Sequence, residues 1–118
     1  MYEQHYQMVF EMMGPYLAHV HIKNGRWSAT PAESPYKRTW KHESAPMRDG
    51  CVDFEFLIRS LKSVGYDGWL SFEDFSDEAT QAEKITDNIA FMKEIEQRVL
   101  NTLGMSKSRS SVPPPLRP

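Results

Sequence analysis

Two short segments gather the side chains able to do chemistry. In Leu17-Ala18-His19-Val20-His21-Ile22-Lys23, Ala18, Val20 and Ile22 alternate with His19, His21 and Lys23. An extended strand sends alternate side chains to opposite faces, so the two imidazoles and the ammonium share one face. In Trp69-Leu70-Ser71-Phe72-Glu73-Asp74-Phe75, alternation sets Trp69, Ser71 and Glu73 opposite Leu70, Phe72 and Asp74. An imidazole and a carboxylate suit a divalent ion such as Mg²⁺, Mn²⁺ or Zn²⁺, and a carboxylate suits proton transfer. Neighbouring parallel strands lie about 4.8 Å apart, close enough for His21 and Glu73 to share one ion. Two ligands are fewer than the three that a catalytic site normally draws from its protein. The plainer reading of Glu73 is an ion pair with Lys23, because a strand carboxylate near an interior needs a partner. His19 reads as structural, and Asp74 as a cap or ion-pair residue on the opposite face.

The elements that must position these side chains follow from periodicity. Tyr6 to Met13 reads as a helix with a stripe of Met8, Val9, Met12 and Met13, stopped by Gly14-Pro15. The His-x-His-x-Lys strand follows and ends at Asn24-Gly25. Asn24 to Gly50 has no clear period and runs far past the usual loop median of roughly 4–6 residues, so it reads as a functional or disordered loop. Asp53 is placed to cap a helix whose stripe is Phe54, Leu57, Ile58, Leu61 and Val64, with Gly65 closing it in the left-handed conformation. Tyr66-Asp67-Gly68 turns into the second strand. Ser76 or Asp77 is expected to cap a final helix with the stripe Ile85, Ile89, Met92, Ile95 and Val99, ending near Gly104. Residues 1–104 then form the domain, and the Ser/Pro/Arg-rich residues 105–118 are expected to be disordered.

Strands alternating with helices imply parallel pairing and right-handed crossovers. Both strands carry small or polar residues opposite an apolar face. An open parallel sheet covered on both sides has two apolar faces. A (β/α)₈ barrel instead turns polar on its inner face at the C-terminal ends of its strands, where His21, Lys23 and Glu73 fall. The fold expected is α/β, a partial barrel of about two βα units plus a preceding helix. The chain has 118 residues, against about 250 for a whole barrel.

The totals narrow the classes of function. A net charge of −2 gives no strong pull toward nucleic acid or an anionic membrane. No apolar run approaches the roughly 20 residues of a membrane span, and Met1 to Met8 lack the pattern of a signal peptide. Cys51 is the only cysteine, so no internal disulfide forms. These features together fit a cytoplasmic protein.

The segments "GPYLAHVHIKNGRW", "GCVDFEFLIRSLKSVGYDGWLSFEDF" and "KITDNIAFMKEI" resemble the end of the xylose isomerase-like barrel superfamily. The combination is specific: an H-x-H-x-K strand, a helix running into G-Y-D-G, and a strand with a central glutamate. The resemblance covers about Tyr6 to Val99 and implies the seventh and eighth strands with their helices. Members include sugar-phosphate isomerases, ketose 3-epimerases and inosose dehydratases. The resemblance implies a metal-assisted proton transfer next to a sugar carbonyl. His21 and Glu73 match two of the family's metal ligands, and Glu73 matches an acid/base carboxylate. The family's first Glu and its Asp fall on strands that this chain lacks. Glu33, Glu43 and Asp49 are the nearby acidic residues that could replace them. Lys23 and Arg26 are placed to meet a substrate's hydroxyl or phosphate oxygens, and Trp27 or Trp40 to cover a sugar ring; a solvated strand end and packing of the long loop are the plainer readings.

Two strands alone make no stable sheet, and open edges invite pairing. The chain is therefore expected to form a homo-oligomer or to pair with a chain carrying the missing strands. The other expectations are a non-catalytic, self-associating remnant without a metal site, and nucleic-acid binding, since the apurinic-endonuclease branch shares the barrel. The acidic balance speaks against the last.

Overall fold

The structure is a computed structural model describing residues 2–104. The expectation for residues 105–118 lies outside those described. In chain order the elements are helix α1 (Tyr2–Met13), strand β1 (His19–Ile22), strand β2 (Gly25–Ala29), strand β3 (Trp40–Ser44), helix α2 (Phe54–Ser63), strand β4 (Trp69–Phe72) and helix α3 (Gln81–Thr102). Single 3₁₀ turns cover Gly14–Tyr16 and Pro35–Lys37. Gly14-Pro15 ends α1 as expected, tightening its exit into the first of those turns.

The two strands that carry the polar residues pair in parallel. His19 stands beside Trp69, Val20 beside Leu70, His21 beside Ser71 and Ile22 beside Phe72. The Glu73 amide donates to Ile22 O at 2.8 Å and carries the ladder one residue further. β2 and β3 form a separate antiparallel pair.

Alternation is kept on both parallel strands. Ile22 is buried and Val20, Leu70 and Phe72 pack against the core, while His19, His21 and Lys23 are exposed. The core lies between α2, α3, Phe10 of α1 and the apolar side of β1 and β4. It includes Phe54, Leu57, Ile58 and Leu61 of α2, with Val64 at its edge. Asp53 caps α2, its carboxylate accepting from the Phe56 amide at 2.9 Å. Gly65 sits at φ 73°, a left-handed position that opens the turn toward β4 at no Cβ cost.

Three expectations are corrected. Asn24 to Gly50 is an ordered hairpin, because Arg26, Ser28, Lys41 and Glu43 alternate with Trp27, Ala29, Trp40 and His42 across the β2–β3 register. Only Trp27 and Trp40 are strong β-formers there, and the polar and small residues of the two strands, all but Gly25 at least partly exposed, gave no apolar period to read. In α1, Met8, Val9, Met12 and Met13 are exposed and Phe10 enters the core. The apolar stripe points away from the rest of the described residues. The cap of α3 is Thr80, not Ser76 or Asp77. Its hydroxyl accepts from the Glu83 amide while Glu83 returns a bond to the Thr80 amide, a reciprocal capping box. Ser76 is occupied by Asp74, whose carboxylate accepts from its amide and hydroxyl. Along α3, Met92, Ile95 and Val99 pack inward as expected, whereas Ile85 and Ile89 are exposed and Lys84 and Asn88 take the buried positions of the first turns.

The two caps can be told apart by stability. Thr80→Ala is expected to lower unfolding free energy by about 1 kcal/mol, and Asp77→Ala to stay within about 0.5 kcal/mol of wild type. Urea midpoints of the two variants check this; equal effects would contradict the cap assignment.

Candidate functional site at the ends of the parallel strands

The polar face of β1 and β4 is a ladder of diagonal contacts. Each histidine reaches the residue one alternation further along the neighbouring strand. His19 Nε2 meets Ser71 Oγ at 2.6 Å, and His21 Nδ1 meets Glu73 Oε1 at 2.5 Å. The two rings stand edge to face, 5.0 Å apart. An ionised carboxylate only accepts hydrogen bonds, so the proton of the second contact belongs to His21 Nδ1. Lys23 Nζ donates to the other oxygen of Glu73 at 3.2 Å. Register explains the convergence: His21 aligns with Ser71, so Glu73 lies two residues onward, beside the chain leaving β1.

These contacts set the charge of Glu73. The hydrogen bond from His21, then that from Lys23, hold its carboxyl below the ordinary glutamate range and outweigh its partial desolvation. Asp74, on the opposite face, has a different balance. Burial pushes its carboxyl up, but hydrogen bonds from Ser76 and Asn88, with the nearby Lys84 charge, bring it below the usual value. Asp74 therefore fastens the β4–α3 turn to α3 through Asn88 Nδ2 at 2.9 Å.

Asn24 is the residue that the sequence reading passed over. It is buried, and its side chain donates to Met47 O at 2.9 Å and accepts from the Gly25 and Val52 amides at 2.9 and 3.1 Å. Its own carbonyl accepts from the Ala45 amide. One side chain thus binds the end of β1, the base of the hairpin and the approach to α2. A Cβ at Gly50 would collide with this amide, so glycine fits there by close approach. Asn-Gly reads as a turn signal, and that turn signal masked a buried staple.

The other candidates lie elsewhere on the hairpin. Arg26 donates to Asp49 at 2.9 Å and Glu78 at 2.5 Å, with Glu43 at 3.9 Å. Its partners raise its affinity for its proton, the Glu78 hydrogen bond most of all. The guanidinium ties the hairpin to the loop before α3, and none of its three partners belongs to the Glu73 cluster. Trp27 is exposed and packs against His42 with ring centres 4.9 Å apart, and Trp40 is exposed. Arg48, just beyond the hairpin, binds Asp87 and Glu94 of α3 and lies over the Phe91 ring at 5.0 Å.

Among the described residues, no group of three or more His, Cys, Asp or Glu side chains converges where a metal ion could be held. Glu43 is taken up by Lys41 at 2.9 Å and Asp49 by Arg26. Among the described residues His21 and Glu73 are the two possible metal donors in direct contact, and Lys23 occupies one oxygen of Glu73. This donor set does not hold a divalent ion by itself. No helix among the described residues is long and apolar enough to cross a membrane.

Two measurements check the site. Asn24→Ala, which leaves buried amides and a carbonyl unpaired, is expected to cost about 1–3 kcal/mol by urea unfolding; a change near zero would contradict the staple. Glu73, its carboxyl depressed on folding, contributes stability at and above the ordinary glutamate range, and this is lost as pH falls toward its folded value. Glu73→Gln is expected to remove that part of the acid-side slope. Parallel stability–pH curves for the two proteins would show that His21 and Lys23 do not hold the carboxylate.

The strand register, the polar inner ends and the helices outside them are those of adjacent βα units of a barrel, without closure of the sheet. No curated protein and no solved structure matches the chain. The sequence profile of the xylose isomerase-like TIM barrel family does match, over residues 1–95, and the chain belongs to that family.

Proposed function

We propose that this chain carries one side of a sugar isomerase/epimerase-type active site, in which Glu73 moves a proton next to a sugar carbonyl. The observation that carries this reading is the meeting of His21 and Lys23 on the Glu73 carboxylate, at the C-terminal ends of adjacent parallel strands. Barrel enzymes perform their chemistry at that end.

The roles follow from charge. An ionised Glu73 takes the proton from the carbon beside the carbonyl and returns it at the neighbouring carbon, which is isomerisation; inversion at the same carbon would need a second acid on the opposite face, from strands beyond those described. Negative charge then develops on the sugar oxygens. The Lys23 ammonium is placed to donate to it, and His21 orients the carboxylate. Arg26 and Trp27 belong to the hairpin that follows β1. In this reading they form the substrate's outer contacts, Trp27 offering a face for a sugar ring. A divalent ion would supply further stabilisation of a developing ene-diolate, and its remaining ligands would have to come from strands beyond those described. A cytoplasmic location fits this chemistry.

The missing third ligand favours a second reading, a self-associating barrel remnant that performs no catalysis. Exchange of solvent deuterium separates the two. The purified chain is incubated in D₂O with aldoses, ketoses and their phosphates, and label at the carbon beside the carbonyl is read by mass spectrometry. Exchange is expected with at least one sugar class, falling about 10²- to 10⁴-fold in Glu73→Gln. Buffer-level exchange with every class, or equal exchange by both proteins, would leave the remnant reading.

A further inference from the structure

We propose that the chain assembles head to tail with copies of itself, the apolar stripe of α1 on one copy covering the groove beside β4 of the next. The inference concerns assembly and stands apart from the chemistry proposed for Glu73. Among the described residues, no further strand pairs with either outer edge of the parallel pair. Glu73 N donates to Ile22 O, so alternation turns the backbone groups of Val20 and Ile22 toward β4, and those of His19 and His21 toward the other side. By the same alternation Leu70 and Phe72 present theirs at the outer edge of β4. Each chain therefore ends in two different strand edges of matching direction. An edge like this is a template for another strand.

The side chains repeat the fit. On α1, the helix that leads into β1, Met8, Val9, Met12 and Met13 are exposed, Met12 to 74%. On the β4 side, a groove of about 690 Å³ runs between α2, α3 and the start of β4, lined by Leu61, Trp69, Leu70, Ile89 and Met92. An amphipathic helix laid into an apolar groove is a recurrent mode of recognition. One charged position agrees with it. Among its described side chains α1 carries Glu11 and neither Lys nor Arg. The groove is edged by Lys62 and Lys93 and also by Asp67 and Glu96. Lys62 is 3.7 Å from Glu96, and Lys93 has no ion-pair partner among the described residues.

The contact joins unlike surfaces, so it repeats until it closes or runs on. Each copy adds two parallel strands, and four copies reach the eight at which such a barrel closes. The junction sets a second His-x-His strand beside Ser71 and Glu73, enlarging a polar face that one chain leaves incomplete.

The arrangement predicts a complementation that a like-with-like dimer cannot give. Met12→Glu spoils the stripe and leaves the groove intact; Ile89→Glu spoils the groove and leaves the stripe. Both positions are exposed. Native mass spectrometry of wild type is expected to give four times the 13.7 kDa chain. Each variant alone is expected to be monomeric, and their equimolar mixture to form a one-to-one dimer, with one good junction and no further growth. Circular dichroism checks that each variant keeps its helices, and Met8→Lys or Trp69→Glu replaces one that does not. A monomeric wild type, or a mixture that stays monomeric, overturns the proposal. The first would leave the faces to strands of another polypeptide; a single variant that still pairs with itself would also overturn it, in favour of a contact of like surfaces.

Discussion

The parallel pairing of β1 with β4 decides where every polar residue of the site lies. Strand side chains alternate, and the register sets His21 beside Ser71. The diagonal from His21 therefore falls on Glu73, and Lys23 arrives on the same carboxylate from the chain beyond β1. A slip of one residue would turn Glu73 toward the helices and Asp74 toward the histidines. The apolar residues hold the register against that slip. Ile22 is 2% exposed in the core, with Val20, Leu70 and Phe72 packed beside it on the same side. The chemistry of one face is thus secured by the burial of the other.

Around that pair the chain uses polar side chains as fasteners. Asn24 fixes the point where β1 gives way to the hairpin, Arg26 ties the hairpin to Glu78, and Arg48 ties its base to Asp87 and Glu94. Asp74 and Asn88 do the same for the turn after β4. These are short-range, directional contacts in a molecule with a small apolar core. They hold a fixed wall around the strand ends. The price is that the two best-placed cations of the hairpin region, Arg26 and Arg48, are already committed to carboxylates.

Much of this was legible in the residues. Alternation in His19–Lys23 and Trp69–Asp74 located both strands and assigned their faces, because one period-2 pattern reports burial directly. Asp53 and Gly65 marked the ends of α2 for the same local reasons that the structure uses. The Thr80-Gln81-Ala82-Glu83 capping box was present but outweighed by the nearer Ser76 and Asp77, and only Asp74 decides against Ser76. Other features depend on partners distant in sequence. Nothing local says that Asn24 meets Val52, or that Arg26 meets Glu78. The stripe of α1 was legible as apolar, yet its direction was not, since Phe10 competes for the core and takes it.

The parallel register itself is open to a direct measurement, amide hydrogen exchange by NMR at neutral pH. The pairing predicts slow exchange at Val20, Ile22, Ser71 and Glu73, whose amides face the partner strand, with cross-strand contacts linking His21 to Ser71. Amides at these four positions that exchange as fast as an unpaired loop, or contacts linking His21 to Leu70 or Phe72 instead, would contradict the register and with it the assembly of His21, Lys23 and Glu73 into one site.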